Sequence, residues 1–462
     1  MKTPICDFVR NYAASAPLRL HMPGHKGARF LGAEPLDITE VSGADVLYAA
    51  QGVIAESQRL AAGLFGSAAT LYSCEGASLV VRAMLYLALL ADGGGGARPL
   101  VLAGRNAHRS FLSAAALLDF DVEWLRPQPA DSRLTCRVTP DALDARLAAL
   151  PRRPAAVYVT SPDYLGHMVD VAGLSAVCRR YGVPLLVDNA HGAYLRFLPA
   201  DAHPMTLGAD MCCDSAHKTL PVLTGGAYLH ISASAPPLFA ENAARAMALF
   251  ASTSPSYLIL QSLDRANAYL AGGCRARLAH CVRRLDECRN RLRRKGFALV
   301  GDEPLNYIDI FSRVQIGDEP LKLTVAPKSY GYTGGALAAL LRAQGIVCEF
   351  ADPDYLVLMF TPALPASAFD RLEAALTALP RRAPISETPP AVPSPERVLT
   401  ARQAMLAKTR LLPAERCLGR ILADFAVSCP PAVSIAVCGE RLDEDALRAF
   451  RYYGVRHCRV VD

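Results

Sequence analysis

No stretch of this chain is apolar over the length needed to cross a bilayer. The run from Leu79 to Ala91 is interrupted by Arg82 and reads as a buried helix. There is no CxxC pair and no series of Cys and His at zinc-finger spacing, so the 14 cysteines suggest neither a redox motif nor a structural metal. No apolar leader follows Met1-Lys2-Thr3-Pro4, and the expectation is a cytoplasmic protein with reduced thiols, many of them small core residues. The adjacent Cys212 and Cys213 are expected to fill a strand. No long basic block occurs, and the net charge of +6 is scattered, which speaks against a nucleic-acid partner. Internal repeats are absent as well. What remains is a chain of 462 residues, 52% hydrophobic and 20% charged: a soluble globular protein of two or three domains.

Helix-like and strand-like segments alternate from about residue 55 to 231. Helices are expected at Ser78–Leu90, ending at Asp92 and the glycine run Gly93–Gly96, and at His108–Leu118, Asp141–Leu150 and Val171–Tyr181. Strands are expected at Leu100–Ala103, Asp121–Leu125, Ala155–Thr160 and Val183–Asp188. Such alternation predicts an α/β fold with a mostly parallel sheet. Ligands of such sheets sit beyond the carboxyl ends of strands. That singles out Asn106-Ala107-His108, Ser161-Pro162-Asp163 and Asp188-Asn189-Ala190-His191. Residues 275–382 read as a small α+β domain, 383–396 as a proline-rich linker, and 397–462 as a third unit or an appendage.

Thirty residues after Asp188 stands Ser215-Ala216-His217-Lys218. A lysine amine can form an imine with an aldehyde cofactor, and a carboxylate can keep that cofactor's pyridine nitrogen protonated. The protonated ring then accepts the electron pair left when a bond at a substrate's Cα breaks. Asp188, closing the apolar strand Pro184-Leu185-Leu186-Val187, would offer that contact from a rigid element. Spacing alone leaves a second reading open, an N-cap Asp and a surface Lys. Gly76-Ala77-Ser78, just before a helix, could cradle a phosphate on backbone N–H groups, although Ser is also a common N-cap. His21 and His25 are four apart, but Pro23-Gly24 breaks any helix between them, so no metal is expected.

Several blocks, in order, resemble the ornithine/lysine/arginine decarboxylases of the aspartate aminotransferase fold. They are His21-Met22-Pro23-Gly24-His25-Lys26-Gly27, Asp37-Ile38-Thr39-Glu40, Asp45-Val46-Leu47, Arg105-Asn106-Ala107-His108-Arg109-Ser110, Asp188-Asn189-Ala190-His191-Gly192, Ser215-Ala216-His217-Lys218 and Ser252-Thr253-Ser254-Pro255-Ser256-Tyr257. The resemblance implies a pyridoxal 5′-phosphate enzyme of fold type I that decarboxylates arginine, lysine or ornithine to a polyamine or its precursor. Residues 1–274 would be an amino-terminal arm and large cofactor-binding domain, with a decarboxylase-type unit at 397–462. Lys218 would hold the cofactor and Asp188 its ring nitrogen. His108 would stack on the ring; otherwise it is a helix-start histidine. His191 would approach the phenolic oxygen or the substrate, or be a core histidine. Gly76, Ala77, Ser78, Ser215 and His217 would surround the phosphate. Ser252 and Ser254 would reach the phosphate of a neighbouring subunit, which makes the expected partner a second copy of the chain. Lys218 or His217 would return a proton to Cα.

The pattern is not fully kept. Arg109 stands for Lys, Asn189 for Glu and Ala216 for Thr, while Glu75 puts a carboxylate beside the phosphate loop. That carboxylate should turn away or pair with an Arg. Ala432 lies in a block that lacks the family's Gly. The chain starts almost directly at the His21 motif, like the short biosynthetic-type members. Another reaction at Cα on the same scaffold, transamination or aldol cleavage, is an alternative reading, and so is a non-catalytic homologue.

Overall fold

The computed structural model describes residues 1–93, 97–127, 135–301, 318–428 and 433–462. Gly94–Gly96 and Ala432 lie outside the described residues.

Two helices, α1 (Pro4–Ala14) and α2 (Val53–Phe65), precede a seven-stranded sheet. Strand β1 (Ala69–Ser73) leads into α3 (Ala77–Asp92), β2 (Leu100–Gly104), α4 (Arg109–Leu118) and β3 (Asp121–Leu125). Then follow α5 (Pro140–Ala149), β4 (Ala156–Thr160), α6 (Val171–Tyr181) and β5 (Leu185–Asp188). The series ends with β6 (Met211–Asp214), α7 (Ala216–Thr219), β7 (Ala227–Ile231), α8 (Pro237–Phe250) and α9 (Tyr257–Ala271). The strand order is β1-β7-β6-β5-β4-β2-β3. β5 and β6 are parallel, whereas β7 runs antiparallel to both β6 and β1. Every residue of β5, β6 and β7 is buried, as expected of strands covered on both faces.

The expected alternation is present. Its boundaries move for local reasons: β5 starts at Leu185 because Pro184 has no N–H to give a ladder, and His108 is the N-cap of α4 rather than its first residue. Cys212 and Cys213 lie in β6, fully buried.

The chain divides into two compact units, residues 1–101, 147–159 and 171–276 in the first, and 102–146, 160–170 and 277–462 in the second. In the first, Asp264 of α9 accepts from Ser57 Oγ of α2 (2.6 Å) and from Cys6 N of α1 (3.0 Å), while Ser57 Oγ also bonds Tyr72 of β1 (2.7 Å). One carboxylate thus ties both early helices to α9. The start of α2 is capped from a distance: Asp45 accepts from Gly52, Ile54 and Ala55 N–H at 2.8, 3.1 and 3.2 Å.

The second unit continues with α10 (Cys274–Lys295), β8 (Ala298–Leu299), β9 (Lys322–Ala326), α11 (Gly334–Ala343), β10 (Phe350–Ala351), β11 (Leu356–Met359) and α12 (Ala366–Thr377). Their strands form an antiparallel sheet in the order β10-β11-β9-β8. No helix or strand occurs within 383–396. Beyond it come α13 (Ala401–Leu406), β12 (Thr409–Pro413), β13 (Ala426–Ser428), β14 (Ser434–Val437), α14 (Glu444–Tyr453) and β15 (His457–Val461). β12 pairs with β15 and β13 with β14, around a core that includes Leu422, Ile435, Phe450 and Val460.

Candidate active site

Parallel pairing of β5 and β6 sets Asp188 opposite Cys213 at the carboxyl ends of two neighbouring strands. Asp188 is buried and held from three sides. Its Oδ2 accepts from the Tyr158 hydroxyl of β4 at 2.8 Å, and its Oδ1 from Cys213 Sγ at 3.3 Å and Ala190 N at 3.2 Å. Burial, and then the charge of Asp188, push the Tyr158 phenol well above its ordinary value, so it remains a donor to the carboxylate.

One turn beyond β6, the four-residue helix α7 carries His217 and Lys218, both half-buried. Lys218 Nζ lies 3.1 Å from His191 Nε2, and His191 is itself buried. The structure therefore brings Asp188, His191, His217 and Lys218 into one stretch of the first unit. His217 Nδ1 lies 3.0 Å from Gly226 O, which only an Nδ1–H can satisfy, and this leaves a lone pair on Nε2. Burial, with the Lys218 charge adding to it, holds the His217 ring below its ordinary value against the pull of the Gly226 carbonyl.

The turn Gly225-Gly226 was not singled out in the sequence, yet it joins the two loops. Gly225 O accepts from Gly76 N at 2.7 Å, and Gly226 O from His217 N at 3.2 Å. Gly225 has φ +100°, and a Cβ there would meet Cys74 O at 2.7 Å, so only glycine fits. A Gly-Gly pair directly before a strand was the available signal.

Gly76 is the N-cap of α3, with φ 73° and no side-chain cap, and a Cβ on it would meet nothing within 4 Å. The first N–H groups of a 16-residue helix are thus left without a capping side chain, next to open space. Ala77 and Ser78 are its first two residues, half-buried. Glu75 Oε1 accepts from the backbone N of the exposed Ser252 at 2.6 Å, a partner the sequence did not suggest. Ser254 N in turn donates to Ser252 Oγ at 3.1 Å. Ser215 is the buried N-cap of α7. Thr219 Oγ1, next to Lys218, is buried with no partner among the described residues.

These residues suit pyridoxal phosphate on chemical grounds. There is an amine for the aldehyde, a rigidly held carboxylate for the ring nitrogen, and an uncapped helix start for the phosphate, while an unsatisfied hydroxyl, that of Thr219, follows the lysine. His108 belongs to the second unit. There it caps α4, accepting from Ser110 N at 3.2 Å, with its ring exposed.

On the other side of the strand end, Asn189 takes part in a network that the sequence did not reveal. Asn189 Nδ2 donates to Asp214 Oδ1 at 2.6 Å, while His203 and His230 Nε2 lie 3.0 and 3.2 Å from Asp214 Oδ2. Three residues able to ligate a metal, His203, Asp214 and His230, in one buried cluster suggest an ion. However, Met205 N–H donates to His203 Nδ1, which puts that ring's proton on Nε2, pointing at Asp214. The cluster is therefore a buried anion satisfied by three donors. Burial opposes its charge, but attraction and hydrogen bonds from His203 and His230 outweigh this and hold the Asp214 carboxyl below the usual range. Gly192 packs against Asn189, where a Cβ would sit 2.0 Å from Asn189 Oδ1. In the amino-terminal arm, His25 Nε2 pairs with Asp37 at 3.2 Å and His21 Nε2 with the Tyr12 hydroxyl at 2.5 Å.

Comparison with known proteins agrees with this picture. The family model for the Orn/Lys/Arg decarboxylase major domain matches residues 3–367. The chain is 30% identical to arginine decarboxylase of Bacillus subtilis over 96% of its own length and 92% of the relative's. It is 29% identical to arginine decarboxylase of Halalkalibacterium halodurans, over 97% and 93%. Among solved structures, the lysine decarboxylase LdcF of Francisella novicida superposes with a TM-score of 0.82 at 17% identity, covering 100% of this chain and 81% of that one. Serine palmitoyltransferase of Sphingomonas wittichii shares the fold at a TM-score of 0.55 and 16% identity, covering 80% and 82%.

Proposed function

The chain belongs to the Orn/Lys/Arg decarboxylase family and is a pyridoxal-phosphate-dependent amino-acid decarboxylase of fold type I, and on that premise we propose that its substrate is arginine. What supports this choice is the full-length similarity to proteins named arginine decarboxylase. The lysine decarboxylase structures, all under 25% identical, speak for the fold alone.

Bound pyridoxal phosphate supplies a protonated ring that accepts the electron pair released when carbon dioxide leaves Cα. The chain's own residues do the rest. Lys218 would provide the amine that holds the cofactor's aldehyde. Asp188, fixed by Tyr158, Cys213 and Ala190, keeps a proton on the ring nitrogen. The N–H groups of Ala77 and Ser78, at the uncapped start of α3, hold the phosphate together with the Ser215 hydroxyl. Gly76 gives the room to do so.

Return of the proton to Cα is the task of Lys218. A neutral His217 that donates through Nδ1 to Gly226 has only a lone pair at Nε2, so it holds a donor in place rather than protonating carbon. His191, 3.1 Å from the Lys218 amine, orients that amine and can carry its proton. Ser252 and Ser254 would serve the phosphate of a second subunit.

The product is a polyamine precursor, made in the cytoplasm by at least a dimer. Incubating purified enzyme and cofactor with arginine, lysine and ornithine, and trapping carbon dioxide, tests the substrate. Arginine is expected to give the highest kcat/KM by about tenfold or more, since a site built to pair a polar end group rejects analogues that lack it. Equal or greater release from lysine would refute the choice.

A further inference from the structure

Asp214 closes β6 and is fully buried, as are Asn189, His203 and His230 around it. None of the four has a task in the proposed reaction. Their hydrogen bonds nevertheless run in one direction. Ser67 Oγ lies 2.7 Å from Thr70 Oγ1, and Thr70 Oγ1 lies 2.8 Å from His230 Nδ1. Met205 N–H leaves the His203 proton on Nε2, and the same tautomer of His230 lets the Thr70 hydroxyl donate to its Nδ1. Both Nε2–H groups then donate to Asp214 Oδ2, at 3.0 and 3.2 Å. The other oxygen, Oδ1, accepts from Asn189 Nδ2 at 2.6 Å. Bonds to a charged acceptor are stronger than those between neutral groups, so this anion is a firm anchor for the amide. Phe65 packs on the two imidazoles, with ring centroids 5.4 and 4.4 Å away, and closes the cluster on that side.

Asn189 is the member that joins this cluster to the site. Its backbone N bonds Cys213 O at 3.0 Å, and its O accepts from Gly192 N at 2.8 Å. Its side-chain oxygen is buried with no partner among the described residues. Leaving a buried amide oxygen unsatisfied is costly, and what the amide gains in return is its bond to Asp214. A Cβ on Gly192 would sit 2.0 Å from that oxygen, so the Asn189 side chain fills the inside of the turn 188–192. The same turn gives Asp188 the Ala190 N–H at 3.2 Å and carries His191, whose Nε2 lies 3.1 Å from Lys218 Nζ. All of these residues belong to the first compact unit.

We propose that Asp214 is a positioning residue: through the Asn189 amide it locks the turn 188–192, and so sets where Asp188 and His191 stand relative to Lys218. The histidines hold the anion, the anion holds the amide, and the amide holds the turn. The proposal rests on the reading of Asp188 and Lys218 as the cofactor's partners.

Exchanging the two polar partners tests it, using cofactor-free full-length protein titrated with pyridoxal phosphate, with melting temperatures recorded in parallel. Asn189→Asp alone sets two carboxylates against each other and is expected to weaken cofactor binding about tenfold or more, the scale of a misplaced contact. Adding Asp214→Asn restores a donor and acceptor in the opposite sense, since the new amide oxygen can accept from both histidines while its nitrogen donates to position 189. The double variant should therefore recover most of the lost affinity, which two independent losses would not do. Should Asn189→Asp or the double variant fail to fold, Asn189→Ala removes the clamp without repulsion. It should weaken binding too, and Asp214→Asn should then add nothing to its loss. A fall in melting temperature with unchanged cofactor affinity overturns the proposal, as does a double variant that binds no better than Asn189→Asp. If Lys218→Ala keeps the yellow band of bound cofactor, the site itself is misread, and this proposal falls with it. If Lys218→Ala loses the band while neither Asn189 variant loses affinity, only the positioning role is lost.

Discussion

At the scale of single residues, the site depends on a few atoms held with little freedom. Asp188 is gripped through both carboxylate oxygens, and each grip comes from a buried group on β4, on β6 or on its own turn. Lys218 differs, being half-buried on a short helix, with its amine 3.1 Å from His191. A carboxylate held from three sides suits the proposed contact to the ring nitrogen, and a half-buried amine the proposed hold on the aldehyde. Lys218→Ala should therefore lose the yellow absorbance of the purified, cofactor-loaded protein while its melting temperature without cofactor stays close to normal. Retention of the band would mean that another amine holds the aldehyde. The sequence could single out both positions, because strand-end Asp and Ser-x-His-Lys are local patterns. Gly225 could not be read so, since its need to be glycine comes from Cys74 O, 2.7 Å from where a Cβ would stand and far away in the chain.

At the scale of elements, the carboxyl ends of β5 and β6 carry two carboxylates with opposite fates. Asp188 faces the proposed cofactor, and Asp214 is enclosed by His203, His230 and Asn189. The alternation of side chains along a strand separates them, as Asp188 is aligned with Cys213 and Asp214 follows it. This cluster makes a prediction about acid. Burial lowers the His230 pKa from 6.5 despite the pull of Asp214, so the unfolded chain takes up that proton first, and stability is lost as the pH falls below 6.5. The depressed Asp214 acts in the same direction further down: its contribution is complete above 3.8 and disappears as the pH falls through its folded value. His167, raised by Asp318 and Asp163 against burial, works the opposite way and loses its contribution as the pH rises. His230→Gln keeps a donor to Asp214 but cannot titrate. Its melting temperature should fall less steeply than that of the unaltered protein between pH 6.5 and about pH 5. Parallel curves would remove His230 from the acid response. Asn189, in place of the family's usual Glu, makes sense in this setting, because a second carboxylate there would face Asp214, whereas an amide donates to it.

At the scale of the whole molecule, the amino-terminal arm stands out for what it leaves uncovered. Leu18, Leu20, Phe30 and Leu31 are 84, 84, 78 and 97% exposed, within one short stretch. Concentrated apolar exposure of this kind is usual for a surface that meets another protein. Together with the exposed Ser252 and Ser254, it supports a second copy of the chain as the partner. Sedimentation equilibrium should give about twice the mass of one chain, 49.5 kDa, or a larger multiple. Replacing Leu18, Leu20 and Leu31 by Ser should shift the population toward monomer and lower cofactor affinity. A native protein at the mass of one chain would remove the dimer from the proposal.

The sequence by itself determined the elements and the chemistry. The helix and strand periods, the residues at strand ends and the ordered motifs from His21 to Tyr257 are all written in short stretches, where physical preference acts between near neighbours. The three-dimensional structure alone decided which distant groups meet. Gly225 supports Gly76, and Asp214 takes its donors from Asn189, His203 and His230. Contacts of this kind are fixed by how strands order in a sheet and how loops close over it, and no local pattern encodes them, because each partner alone is an ordinary charged, polar or small residue.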